Sequence, residues 1–239
     1  MMGNIKQDGY DIDTTLVLVC KRPIPGVGKQ RLATGLGSEM AQQIANALLA
    51  CALEDACNWP GAVVIAPANQ EDVKWAQAVA APIPSPVTIL PQQPGNLGQR
   101  LNALDQTLRQ QGETHLVFIG SDAPGLEAID YKAARNALQK LDTMLIPAMD
   151  GGVVLMASRC AWPELSGLPW SSDQLGTALA DACRAAGQSV LAVGQGYDVD
   201  EVSDFLRLAT LLEWDERPAR RALYDLACRV MAMMDIPHA

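Results

Sequence analysis

The sequence predicts an α/β fold: a mostly parallel, Rossmann-like sheet in three layers, with helices on both faces. Short β-branched, apolar runs alternate with longer runs of helical period along the chain, the pattern of a parallel sheet with crossover helices. The chain has 239 residues and 49% of them are apolar, enough for a large core in one domain. The loops richest in glycine, proline and charge fall after strand-like runs, where open α/β sheets bind ligands.

The elements follow in order. Residues 1–13 (MMGNIKQDGYDID) are polar, with no apolar stretch of a signal peptide; they are expected to form a disordered leader, and residues 14–239 a single domain. Thr15-Leu16-Val17-Leu18-Val19 reads as the first strand. Met40, Ile44, Leu48 and Cys51 then share one helical stripe. A strand at 62–66 precedes a helix through Trp75, and the proline-stiffened segment 81–86 leads to a strand at 87–90. Leu97, Leu101, Leu104 and Leu108 form a helical seam. Strands are expected at 115–119, 143–146, 153–157 and 189–193, with helices at 127–140, around 175–183, at 202–212 and at 218–233.

Composition excludes several classes of function. No apolar run approaches the ~18 residues of a membrane span. A net charge of −9 disfavours a nucleic-acid partner, which needs a basic face. The six cysteines (Cys20, Cys51, Cys57, Cys160, Cys183, Cys228) form no C-x-x-C pair and read as buried free thiols of a cytoplasmic protein. His115 and His238 are the only histidines, too few for a multi-histidine zinc site and poorly placed for a Ser-His-Asp triad.

Chemistry concentrates in the loops after strands. Residues 21–31 (KRPIPGVGKQR) hold four of the 18 basic residues, and the next one is Lys74. Gly26 and Gly28 allow close backbone approach, and Lys21, Lys29 and Arg31 supply charge, which suits a polyphosphate. The loop is not a Walker P-loop, because Pro23 stands at the first glycine and Gln30 where Ser or Thr should follow the lysine. Gln92-Gln93-Pro94-Gly95-Asn96-Leu97-Gly98-Gln99-Arg100 reads either as a helix cap on Asn96 or as a nucleotide contact. In Gly120-Ser121-Asp122, Asp122 suits a Mg²⁺ or Mn²⁺ ion that completes its shell with substrate phosphates; the competing reading is a turn or cap. Asp150-Gly151-Gly152 reads equally as a hairpin turn or as a close approach to a sugar. Asp198 and Asp200 point the same way if extended; Asp198 is the candidate second metal ligand, whereas Asp200 also suits a helix cap.

The ordered motifs K-x-P-x-P-G-x-x-K-x-R-L (from Lys21), G-x-L-G-x-R (from Gly95), G-S-D-x-P, P-A-x-D-G-G, W-S (Trp170) and D-V-D (from Asp198) resemble the glycosyltransferase-A-like family of rSAM/selenodomain-associated transferases, over residues 21–204. The resemblance implies a nucleotide-diphospho-sugar transferase type of sheet that binds an NTP or NDP-sugar with a divalent metal on Asp122. It places Lys21, Lys29 and Arg31 at the phosphates; Gly26, Gly98, Arg100 and Ser121, in the same loops, are the further nucleotide candidates. By the same resemblance Asp150 and Trp170 fall near a small-molecule acceptor, and Gly151 and Gly152 beside Asp150 are the further acceptor candidates. The sequence departs from the pattern at Val153-Val154 (usually aromatic), Gln30 (usually Thr), Asn96 (commonly acidic) and Glu201 (usually Thr).

Three functions stand at this point. The leading one is metal-dependent glycosyl transfer, with Asp150 as base and Lys29 stabilising the leaving diphosphate. The second is nucleotidyl transfer to a phosphorylated acceptor with release of pyrophosphate. The third, of another class, is nucleotide binding without catalysis. Trp170 has a competing reading as a plug in the core.

Overall fold

The computed structural model describes residues 13–234. The expected leader, apart from Asp13, and His238 lie outside the described residues. Among the described residues, seven strands form one sheet in the order β3-β2-β1-β4-β6-β5-β7. They are β1 (Thr15–Cys20), β2 (Val63–Pro67), β3 (Val87–Ile89), β4 (Leu116–Ile119), β5 (Thr143–Pro147), β6 (Val153–Ser158) and β7 (Val190–Ala192). All neighbouring pairs are parallel except those of β6, which runs antiparallel to both β4 and β5. The expectation of a mostly parallel sheet with helices on both faces is met.

β1 shows how sequence becomes layers. Successive side chains point to opposite faces of a strand. Leu16, Leu18 and Cys20 therefore pack with α2 (Ser38–Cys57), α3 (Val73–Ala80) and α5 (Ala128–Leu138). Val17 and Val19 face the other way, toward α4 (Leu97–Gln110) and α6 (Leu175–Ala185). β1 and β2 are almost wholly buried, which explains their unbroken apolar runs. A third cluster lies outside the first layer. There the outer face of α2 meets α1 (Gln30–Leu36), α7 (Val202–Leu211) and α8 (Pro218–Met233) through Ile44, Leu48, Leu32, Phe205, Leu208 and Leu223.

Helix α1 is absent from the sequence reading, which treated 21–31 as one loop. Its seven residues contain Thr34 and Gly35, weak helix formers, and it starts from Lys29 in a left-handed conformation (φ 46°). Its single buried residue, Leu32, holds it against the third cluster.

The chain builds β2 and β3 on one side of β1, then crosses to place β4 on the other. The sheet's topological switch point therefore lies between the carboxyl ends of β1 and β4, where such folds open a crevice.

Candidate functional site

The loops after β1 and β4 meet at that switch point. Lys29 donates from Nζ to Asp122 Oδ2 at 3.2 Å, to Asp200 Oδ1 at 2.9 Å and to the Val199 carbonyl at 2.6 Å. Its side chain is only 16% exposed, whereas Asp122 and Asp200 are 40% and 47% exposed. Burial pulls the Lys29 ammonium down, but Asp122 and Asp200 outweigh it and hold its pKa above the usual lysine value. Arg31 reaches the same rim, 3.9 Å from Asp200 and 3.6 Å from Glu201.

Asp198 lies within this field. Burial first, then the negative charges of Asp150, Asp122 and Asp200, push its carboxyl up to about 6. Asp150 accepts from the Gly152 amide at 2.8 Å, which fixes the turn between β5 and β6. The hairpin reading of Asp150-Gly151-Gly152 is therefore correct for the backbone, and the turn brings Asp150 within electrostatic reach of Asp198. Gly151 has φ 89°, and a Cβ there would run into the Asp173 carbonyl. Gly196 bonds to Pro147 and Met149 across the sheet edge, which ties the segment leading to Asp198 to the end of β5.

The Asp122 loop is staked from behind. Val199 N donates to the Asp122 carbonyl at 3.0 Å. Arg220, wholly buried, donates to the Pro124 carbonyl at 3.2 Å and is itself paired with Asp55 (2.6 Å) and Glu54 (2.9 Å). Arg217 donates to the Leu126 carbonyl at 2.8 Å. Gly120 has its own reason: a Cβ there would stand 2.5 Å from Asp122 Oδ1. Sequence reading missed Arg217 and Arg220; the only signal was an arginine-rich start (RPARR) to an otherwise apolar helix.

Lys21 and Arg100 stand elsewhere. With Arg22, Asn69, Asp72 and Gln93 they line a pocket of about 320 Å³ beyond the ends of β1, β2 and β3. Gln92 bridges the strand ends, donating to the Ala66 carbonyl at 2.7 Å, and accepts from Arg100 Nη1 at 2.9 Å. Arg100 Nε is buried and bonds to no protein atom. Arg22 lies 3.7 Å from Asp72.

Several sequence candidates have a structural occupation. Asn96 caps α4 in a reciprocal box with Gln99, as expected of a cap. Gly98 packs α4 against the chain, because a Cβ there would run into the Leu165 carbonyl and Ser166 amide. Trp170 donates from Nε1 to the Leu165 carbonyl at 2.8 Å and packs on the α4–α6 layer, the arrangement of a plug. Asp200 does not cap α7; Glu201 does, with Asp204, leaving Asp200 to Lys29. Gly26 (φ 77°) and Gly28 (φ 71°) provide the left-handed turns of the basic loop. Ser121 is half-buried beside Asp122.

Among the described residues, no group of three or more His, Cys, Asp or Glu side chains is gathered to hold a metal ion by itself. No described helix is long and apolar enough to cross a membrane.

A family model matches residues 48–172, just over half of the chain. The chain belongs to the DUF2064 family, described as uncharacterized proteins conserved in bacteria. No curated protein matches the sequence. Among solved structures, a protein from Desulfovibrio desulfuricans G20 inferred to be a nucleotide-diphospho-sugar transferase superposes with a TM-score of 0.81 at 24% identity, over 93% of this chain and 96% of that one. CMP:2-keto-3-deoxy-manno-octonic acid synthetase in complex with CTP matches with a TM-score of 0.52 at 12% identity, over 84% and 99% of the two chains. A cytidylyltransferase from Leptospira borgpetersenii matches with a TM-score of 0.52 at 10% identity, over 95% and 99%. At these identities the likeness establishes the fold, that of nucleotide-diphospho-sugar transferases and cytidylyltransferases.

Proposed function

We propose that this protein is a metal-dependent transferase that takes a nucleotide-sugar donor at the switch point. The observation that carries the reading is the meeting of Lys29, Asp122 and Asp200 there, with Asp198 close enough to feel the charge of both aspartates. The donor set suits a divalent cation shared with a substrate. Asp198 and Asp122 are the two carboxylates that would hold it, and Mg²⁺ commonly takes one or two carboxylates, filling its shell with phosphates and water. When bound, the cation neutralises charge on the leaving diphosphate.

The chain's own residues do the rest. Lys21, Arg22 and Arg100 offer cationic donors to the nucleotide in the 320 Å³ pocket. Lys29, freed from part of its carboxylate contact, stabilises developing phosphate charge, and Arg31 supports it from the rim. Asp150, on a turn fixed through the Gly152 amide, takes the proton of the acceptor hydroxyl. Gly151 and Gly152 leave room beside it, while Trp170 acts on the acceptor side only indirectly, by holding the 165–170 segment.

A melting-temperature panel of NTPs and NDP-sugars with Mn²⁺ tests the reading. Wild type is expected to be stabilised by at least one nucleotide, and Asp122→Ala to lose the metal-dependent part. Stabilisation of the variant equal to that of wild type removes Asp122 from the metal site. Release of NDP from an NDP-sugar identifies glycosyl transfer, and release of pyrophosphate from an NTP identifies nucleotidyl transfer. Binding with no turnover, unchanged in Asp150→Asn, identifies a nucleotide-binding protein without catalysis.

A further inference from the structure

A cavity of about 1020 Å³ lies away from Lys29, Asp122 and Asp200, none of which lines it. It is a groove between the exposed stripe of α5 and the connection from α7 to α8, floored by the end of α2 around Trp59. Its lip carries Trp214, which is 85% exposed, with Leu211 and, one residue from the groove wall on α5, Ile129, both open to solvent. An exposed tryptophan flanked by aliphatic side chains is the composition of an interface anchor, not of an ordinary surface.

The two walls carry opposite charge. The α5 wall carries Lys132 and Arg135 against Glu127, a net positive charge, and the opposite wall carries Asp215 and Glu216 against Arg217, a net negative charge, with Glu213 beside Trp214. Asp215 on that wall is already matched by Arg217 at 2.6 Å. A surface with one basic wall, one acidic wall and an aromatic knob between them is complementary to itself. Under a twofold rotation Lys132 of one copy would face the acidic wall of the other, twice, and each Trp214 would meet the other copy's groove. Complementary potentials of this kind fix orientation and suppress other partners.

We infer that this groove is the surface through which two copies of the chain pair, with Trp214 as the anchor. A buried tryptophan contributes roughly 150–250 Å² of contact, and a standard interface needs about 800 Å² per partner, so Trp214, Leu211, Ile129 and the groove floor form the centre and the charged walls the rim. The pairing also reaches the site: α7 begins beside Asp200 and ends at Leu211, so fixing its far end stiffens the element behind the Lys29 contact.

Sedimentation equilibrium of the full chain over a wide concentration range tests the pairing, with circular dichroism as the check on folding. Wild type is expected as a dimer and Trp214→Glu as a folded monomer. Lys132→Glu and Glu216→Lys should each weaken pairing at least tenfold, and the double variant should recover most of the loss. A wild-type monomer overturns the inference, as does a Trp214→Glu dimer or a double variant no tighter than the singles. A monomer that pairs only after removal of residues 1–12 assigns the groove to that segment and also overturns it.

Discussion

Replacing Lys29 by methionine tests the arrangement at the switch point most directly. The substitution keeps most of the length of the side chain and removes its charge. It takes away three charge-assisted hydrogen bonds, to Asp122, Asp200 and Val199. Bonds to charged groups are each worth about 1.5–3 kcal/mol, and breaking a fully buried pair costs about 3–5 kcal/mol. Lys29 is largely buried but both carboxylates are about half exposed, so water recovers part of the loss. The expected net cost is about 2 kcal/mol, or about 4–8 °C in melting temperature for a chain of this size. The sign of the metal effect is the sharper test. With the ammonium gone, the aspartates repel one another without an internal counterion, so Mg²⁺ or Mn²⁺ should raise the melting temperature of Lys29→Met more than that of wild type. Differential scanning calorimetry with and without the ion reads both quantities. A variant as stable as wild type in metal-free buffer, or one that gains less from the ion, refutes the reasoning.

Asp198 binds its proton more tightly folded than unfolded, so in metal-free buffer its contribution to stability falls as pH rises from the ordinary carboxylate range through about 6. Asp198→Asn should remove that slope and stabilise the metal-free protein at neutral pH by about 1 kcal/mol, discounted for partial exposure; denaturant midpoints at several pH values decide it. Gly98→Ala should cost more than about 2 kcal/mol by pushing α4 off the Leu165 carbonyl, seen as a lower urea midpoint, while any nucleotide affinity that remains at low temperature stays unchanged. Arg220→Met takes from Asp55 its shortest ion pair, leaving it Arg217 and Tyr131, strips a donor from the Pro124 carbonyl, and should cost about 3 kcal/mol in urea unfolding, whereas conservative changes at exposed Arg31 should stay within about 0.5 kcal/mol.

What the sequence revealed depended on whether the signal was local. Strands β1, β2 and β4 were legible because burial on both faces demands unbroken apolar runs such as TLVLV. α4 and α6 were legible from one apolar stripe each. α1 was not, since seven residues with one buried leucine carry no periodicity. Gly98 shows a different limit. A glycine that admits the Leu165 carbonyl and a glycine that admits a phosphate obey the same steric rule, so the sequence could not separate them. The sequence leaves Asp200 open between a metal ligand and a helix cap, since both are local readings, yet its partner is Lys29, 171 residues earlier in the chain. The crossover of β4 to the far side of β1 brings Asp122 to Lys29, and the segment after β7, tied to the Asp122 carbonyl by the Val199 amide, brings Asp200 there.

That crossover also divides what the sequence presented as a single basic loop. Lys21 and Arg22, at the start of the loop, enter the pocket with Arg100, where Asp72 is the one carboxylate among three cations. Lys29 and Arg31, at its end, turn to the opposite side and face Asp122, Asp200 and Glu201, with Asp198 and Asp150 beyond. One half of the crevice therefore has a surplus of positive charge and the other a surplus of negative charge, separated by a turn that needs two left-handed glycines, Gly26 and Gly28. A polyanion alone suits only the first half, and a cation alone only the second. A nucleotide diphosphate bound together with a divalent cation balances both. On the function proposed above, this charge pattern favours a metal–nucleotide complex over either component, and nucleotide and metal are expected to bind with positive cooperativity, read as a lower nucleotide Kd with the ion than without it in calorimetric titration.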